Sequence, residues 1–151
     1  MGLVRRLLLF KLGALVGMIV AAAFFKRVVR SRGDAESDEL ALVAILDGVE
    51  LESRARAFRG GSMLAWFGGI DVDLSGAELA EGAHLSVHAL FGGIDVTTPP
   101  GWRIESGVRI FAGGIDARGE ADPAAPVLTL DGMAVFGGID VSPARGVPRD
   151  D

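Results

Sequence analysis

The feature that most constrains the fold is a heptapeptide that recurs through the chain after residue 44. Full copies are WFGGIDV at 66–72, LFGGIDV at 90–96, FAGGIDA at 111–117 and VFGGIDV at 135–141, and a weaker copy, ILDGVEL, occupies 45–51. Between copies, the aliphatic residue after the glycines advances by 21, 24, 21 and 24 residues. Repeats of this length are typical of solenoids, in which each period forms one coil.

Each period has the character of short strands joined by turns. Ile-Asp-Val alternates apolar and polar residues, as do second runs such as 127–130, and turn residues such as those at 99–101 separate the runs. No amphipathic helical stretch follows residue 33. The sequence therefore predicts an all-β fold, a single-stranded β-solenoid of about five coils, preceded by one N-terminal transmembrane helix.

Stacking of the coils predicts columns of equivalent residues about 4.8 Å apart. Two buried ladders are expected, one of Val49, Ile70, Ile94, Ile115 and Ile139, and one of Leu51, Val72, Val96, Ala117 and Val141. A third buried ladder, rich in aromatic residues, is expected from Leu46, Phe67, Phe91 and Phe136, with Phe111 refilling the volume that Ala112 leaves. These ladders are expected to dominate the folding energy, since burying one large apolar side chain stabilises by about 1.5–3 kcal/mol.

The glycine pairs before the strands favour a structural role. Either the backbone needs a positive φ at a corner or bulge, or neighbouring coils approach too closely for a Cβ atom. A phosphate-binding loop is disfavoured because no helix and no Lys follow the glycines. The pairs are Gly68 and Gly69, Gly92 and Gly93, Gly113 and Gly114, and Gly137 and Gly138.

Five carboxylates occupy the position after the aliphatic residue, where alternation directs them outward: Glu50, Asp71, Asp95, Asp116 and Asp140. At about 5 Å spacing they repel one another unless water, salt or a partner screens them. Three interpretations stay open. The ladder is a solvated face that prevents sideways aggregation, a docking site for a basic partner, or a row of calcium ligands.

The N-terminal region differs from the rest of the chain. Residues 1–33 hold seven basic residues and no acidic one, and residues 7–25 are apolar except for Lys11. As a helix, this stretch would rise about 28 Å, close to the thickness of the bilayer core. A cleaved signal peptide ending near residues 21–23 is the alternative, but Phe24, Phe25 and the basic residues after them favour an uncleaved anchor.

We therefore divide the chain into a membrane anchor (1–30, span about 7–25), a polar tether (31–39), the solenoid domain (40–142) and a polar tail (143–151). More basic residues follow the span than precede it. This distribution predicts a single-pass membrane protein, with the domain in the cytoplasm.

Composition and motifs disfavour several classes of function. Beyond residue 33, eight basic residues face 20 acidic ones, which argues against nucleic-acid binding. The chain has no Cys and no nucleotide-binding or hydrolase motif, and its histidines, His84 and His88, are expected to be exposed strand residues and not a metal site. We expect no catalytic residue, cofactor, metal or small-molecule substrate.

Linked motifs resemble the C-terminal domain of the LiaF-type cell-wall-active antibiotic response proteins. They are FRGGSMLAWFGGIDVDL (58–74), LFGGIDVTTPPGWRI (90–104) and VFGGIDV (135–141), and the similarity covers roughly 40–142. The resemblance implies a β-solenoid-like domain at the bacterial membrane, whose best-known relatives restrain a sensor histidine kinase during envelope stress. It carries over no catalytic residue. This chain has one apparent span where those relatives have several.

Two functions from different classes follow. The first is a membrane-anchored regulatory module that binds a membrane partner such as a sensor kinase in the envelope stress response. The second is a structural, membrane-associated scaffold in which solenoids stack end to end or side by side. Polar ends argue against such stacking, and the C-terminal segment is made polar by Arg145, Arg149, Asp150 and Asp151.

Overall fold

The computed structural model describes residues 35–145 without a gap, together with residues 2, 4, 6, 9, 11–17 and 20. Two compact units divide the chain between residues 30 and 31. The described residues of the first unit are helical, and none of the helices described is long and apolar enough to cross a membrane. Much of the expected span (7, 8, 10, 18, 19 and 21–25) lies outside the described residues, as do tether residues 31–34 and tail residues 146–151.

The second unit is built from strands alone within residues 35–145. Each strand lies where apolar and polar residues alternate, and turns fall at the Gly, Pro and Asp positions between them. The strands are β1 (Glu39–Ile45), β2 (Gly48–Glu52), β3 (Phe58–Trp66), β4 (Gly69–Asp73), β5 (Leu79–Leu90), β6 (Gly93–Thr98), β7 (Arg103–Ser106), β8 (Arg109–Ala117) and β9 (Val127–Pro143).

All strand pairs are parallel and unite equivalent positions of different repeats. β1 pairs with β3, and β3 with β5, while β2 pairs with β4, and β4 with β6. The long strand β9 continues both series, since its first half pairs with β5 and its second half with β6. The result is a parallel β-solenoid of about four turns, where the sequence predicts about five coils. All five repeat copies stack in one register.

The order of the coils in space departs from their order in the sequence. β9 lies between β6 and β8, so the last repeat of the chain is inserted between the third and the fourth. The outermost coil is therefore β7–β8. Its repeat, FAGGIDA, has Ala where the other full copies have Phe and Val, whereas the β9 repeat keeps the large residues. A large apolar side chain stabilises the fold more at a position covered on both sides than at an end position, because more of its surface is buried.

The first two predicted ladders run along the interior. Ile70 aligns with Ile94 and Ile94 with Ile139, and all three are buried. Val72, Val96 and Val141 align in the same way and are also buried. Val49 and Ile115, at the two ends, are partly buried. A single core cluster combines these ladders with residues from the other faces of the coils.

The expectation of a third buried ladder is wrong. Leu46, Phe67, Phe91 and Phe136 are about half exposed, and each has a positive φ of 50–54°. These residues occupy the corner between two strands of a coil, where the left-handed backbone turns the side chain outward. Counting alternate residues along a strand fails at such a corner because the alternation assumes extended backbone on both sides.

Candidate functional site

The five carboxylates lie on the outside of the solenoid in the parallel register. Backbone pairing aligns them in the order Glu50, Asp71, Asp95, Asp140 and Asp116, so Asp140 and Asp116 exchange the places that the sequence order assigns. Parallel neighbours lie about 4.8 Å apart. We call this row the carboxylate ladder. The carboxylate ladder runs across the stacked strands β2, β4, β6, β9 and β8.

Only one end of the carboxylate ladder is neutralised by a basic side chain of the described residues. Arg118 forms a two-pronged ion pair with Asp116, including a bond of 3.0 Å from Nε to Oδ1. At the centre, partial burial and then the charges of Asp140 and Asp71 raise the pKa of Asp95 above its ordinary value. The ladder therefore carries mutual repulsion that a cationic partner would relieve.

The glycine pairs hold the corner beside the carboxylate ladder. A Cβ atom on Gly68 would lie 2.2 Å from the carbonyl oxygen of Asp47, and one on Gly92 would lie 2.2 Å from that of Gly68. Gly137 is equally constrained, at 2.4 Å from the carbonyl oxygen of Gly92. Close approach of adjacent coils thus explains the first glycine of these three pairs. Gly113 combines a close approach with a φ of +138°.

The second glycine of each pair has more room. A Cβ atom would lie 3.9 Å from the nearest atom at Gly69 and Gly93, and no atom lies within 4 Å at Gly114 and Gly138. These glycines leave the backbone open to solvent between the corner and the carboxylates. Two shallow, open grooves follow this line, and both are lined by the second glycines, the neighbouring aliphatic residues and the carboxylates of adjacent coils.

Three phenylalanines stack on the outside of the corner, on the other side of the glycines. The ring centroids of Phe67 and Phe91 are 4.9 Å apart with the planes nearly parallel at 2°. Those of Phe91 and Phe136 are 5.2 Å apart at 14°. Phe111 contacts Phe136 edge-on at 6.4 Å and 71°. We call Phe67, Phe91 and Phe136 the aromatic column.

Sequence reasoning placed the aromatic column in the core and so missed it as part of a surface. A signal was present, since each of its phenylalanines directly precedes a glycine pair, where a turn is expected. The main-chain NH of Phe67 donates to the Leu90 carbonyl oxygen on the next coil, and that of Phe91 donates to the Val135 carbonyl oxygen, both at 3.0 Å. Such bonds hold the left-handed corners in place and fix the direction of the rings.

The two histidines lie on β5, in the other series of paired strands, formed by β1, β3, β5 and the first half of β9. His84 Nε2 lies 2.8 Å from Asp131 Oδ2 on the neighbouring coil, and His88 Nε2 lies 3.4 Å from the Ser86 hydroxyl. No group of three or more metal-ligating His, Cys, Asp or Glu side chains occurs within the described part of the chain. The candidate surface is accordingly the strip formed by the aromatic column, the glycine corner and the carboxylate ladder.

Comparisons with family models, curated proteins and solved structures found no match to this chain. The likeness to the LiaF-type domain therefore rests on the motifs given above.

Proposed function

We propose that this protein is a non-enzymatic regulatory module that binds a membrane protein, such as a sensor kinase, in the bacterial cell-envelope stress response. The N-terminal segment anchors it in the cell membrane, with the solenoid on the cytoplasmic side. The observation that carries the binding role is the strip itself, because one extended surface combines stacked half-exposed rings with unneutralised carboxylates.

The geometry of the strip defines the kind of segment that fits it. An extended or helical partner segment would place apolar side chains on the aromatic column and Lys or Arg side chains on the carboxylate ladder. The rings contribute apolar area and attract cations at their faces. The carboxylates steer a basic segment toward the surface and reject acidic ones. The regulatory role and the stress response come from the resemblance to the LiaF-type domain.

Photo-crosslinking in native membranes tests the binding role. A photoreactive phenylalanine analogue replaces Phe91 in the full-length protein, and the attached protein is identified by mass spectrometry. We expect one predominant membrane protein. Its capture should fall at least about tenfold when the three consecutive carboxylates Asp71, Asp95 and Asp140 are changed to Asn, because the ladder loses its charge at the centre of the contact.

A matched control changes three other exposed acidic residues, Glu78, Glu81 and Glu120, to Gln. This variant loses the same amount of charge but keeps the carboxylate ladder, so capture should match that of the unaltered protein. Equal capture by both triple variants would rule out the strip as the binding surface. Protease treatment of spheroplasts and of inverted vesicles tests the orientation, and digestion of the solenoid in intact spheroplasts would contradict the cytoplasmic placement.

A further inference from the structure

The solenoid is open at the end formed by β7 and β8. Ile110 aligns with the fully buried Ala134 of β9, yet it is 44% exposed because no further coil covers it in the described chain. Phe111 is 77% exposed. At the other end, Leu40 and Leu42 of β1 are only 1% and 3% exposed. Terminal repeats normally carry a polar outer face that keeps the protein soluble. The exposed apolar residues at this end are instead suited to packing against another protein surface.

The two ends match in backbone direction and in register. β8 pairs only with β9, and β2 only with β4, among the described strands, so each presents an unpaired edge. Gly114, Ile115 and Asp116 of β8 occupy the same repeat positions as Gly48, Val49 and Glu50 of β2. A second molecule placed in line would therefore continue the parallel pairing without a change of strand direction.

The charges of the two ends are complementary. The first coil, residues 35–54, carries six acidic residues against one arginine. The last coil, residues 103–118, carries three arginines against two acidic residues. Contact between unlike ends sets the net negative first coil against the net positive last coil, with Asp116 and Glu50 as a like-charged pair in the continued carboxylate ladder. Contact between two last coils brings two net positive surfaces together. Complementarity therefore favours contact between the last coil of one molecule and the first coil of another.

We propose that this protein binds a second copy of itself head to tail, with the first coil of one copy seated on the last coil of the other. In the continued register, Ile115 lies beside Val49 of the second copy, and Arg118 lies beside Glu52. Phe111 extends the aromatic column toward Leu46 of the second copy, which is itself half exposed. Unlike faces meet in this contact, so each added copy leaves both kinds of end free for another.

Complementation between two end variants tests the proposal. Phe111→Asp alters only the last coil and Leu46→Asp only the first, and both sites are exposed enough for the fold to tolerate a polar residue. Asp also tolerates the left-handed backbone at position 46. The full-length proteins in detergent are followed by analytical ultracentrifugation over a wide concentration range, with circular dichroism to check the fold. The control is Met133→Asp, an exposed apolar site on the interior coil β9.

We expect the unaltered protein and the control to form dimers and longer assemblies as the concentration rises. Each end variant alone should associate about tenfold more weakly or worse, since the apolar contact between Phe111 and Leu46 is replaced by a charge. An equal mixture of the two should form dimers but little beyond them, because only one intact pair of faces remains. Monomers at all concentrations, or loss of association with Phe111→Asp but not with Leu46→Asp, would overturn the proposal.

Discussion

The inserted position of β9 makes a quantitative prediction about two equivalent isoleucines. Ile139 of β9 is 2% exposed and lies between Ile94 and Ile115, whereas Ile115 of β8 is partly buried and has a neighbour on one side only. Replacing a buried Ile with Ala lowers the free energy of unfolding by about 2–5 kcal/mol, because apolar burial is lost and a cavity remains. We expect a cost in this range for Ile139→Ala, and about half as much for Ile115→Ala, where solvent already reaches part of the side chain.

Urea unfolding of the two variants measures this difference. Tryptophan fluorescence reports on the loss of the core through Trp102, which is buried and stacks on Phe58 at 6.4 Å, whereas the other tryptophan, Trp66, is already 42% exposed in the folded state. The free energy of unfolding follows from the midpoint and the slope, and the slope should be the same in both variants. Stacking in sequence order would instead put Ile115 inside and Ile139 at the end. An equal or larger loss of stability for Ile115→Ala would refute the placement of β9 between β6 and β8.

Three further predictions concern the corner and the carboxylate ladder. The chain has no cysteine, so pairs of Cys substitutions can report which coils are neighbours. Oxidation should readily join Cys residues placed at Asp95 and Asp140, but not at Asp95 and Asp116, which lie two coils apart at about 9–10 Å. Comparable disulfide yields on non-reducing gels would contradict the order of the coils. Phe91→Gly should be more stable than Phe91→Ala by about 1 kcal/mol, because glycine relieves the positive φ, and the reverse order in thermal melts would argue for strand-like backbone there. Because the pKa of Asp95 is raised in the folded state, its protonated form contributes most to the free energy of unfolding below the ordinary pKa of 3.8. This contribution is lost as the pH rises through the raised pKa. Asp95→Asn should therefore be modestly more stable than the unaltered protein at pH 7 and no more stable near pH 3, and a stability loss at pH 7 would count against repulsion in the ladder.

The sequence alone determined the shape of one coil and the alignment of its equivalents. Period-2 alternation after each glycine pair identifies the inward Ile and the outward Asp, and the structure confirms the all-β parallel solenoid and the buried alignment of Ile70, Ile94 and Ile139. These features follow from local pattern, since each strand places alternate side chains on opposite faces wherever it lies.

Only the tertiary structure decided which coils are neighbours. Nearly identical repeats pair equally well in any order, so the local pattern does not distinguish Asp140 from Asp116 as the neighbour of Asp95. The turn between β8 and β9 (residues 118–126) is long enough to let the last repeat enter between the third and the fourth. The size of the apolar residues then favours the full repeat in the two-sided position and the alanine-containing repeat at the end.

The exposure of the aromatic column was likewise decided by the assembled fold. Phe67, Phe91 and Phe136 read as core residues because they are large and apolar, but their outward direction depends on a left-handed corner in each coil. Hydrogen bonds from the main-chain NH groups of Phe67 and Phe91 to the neighbouring coil hold the backbone at those corners in this less favoured conformation. Those bonds exist only once the coils are stacked, so the turn expected at each glycine pair does not by itself determine the direction of the rings.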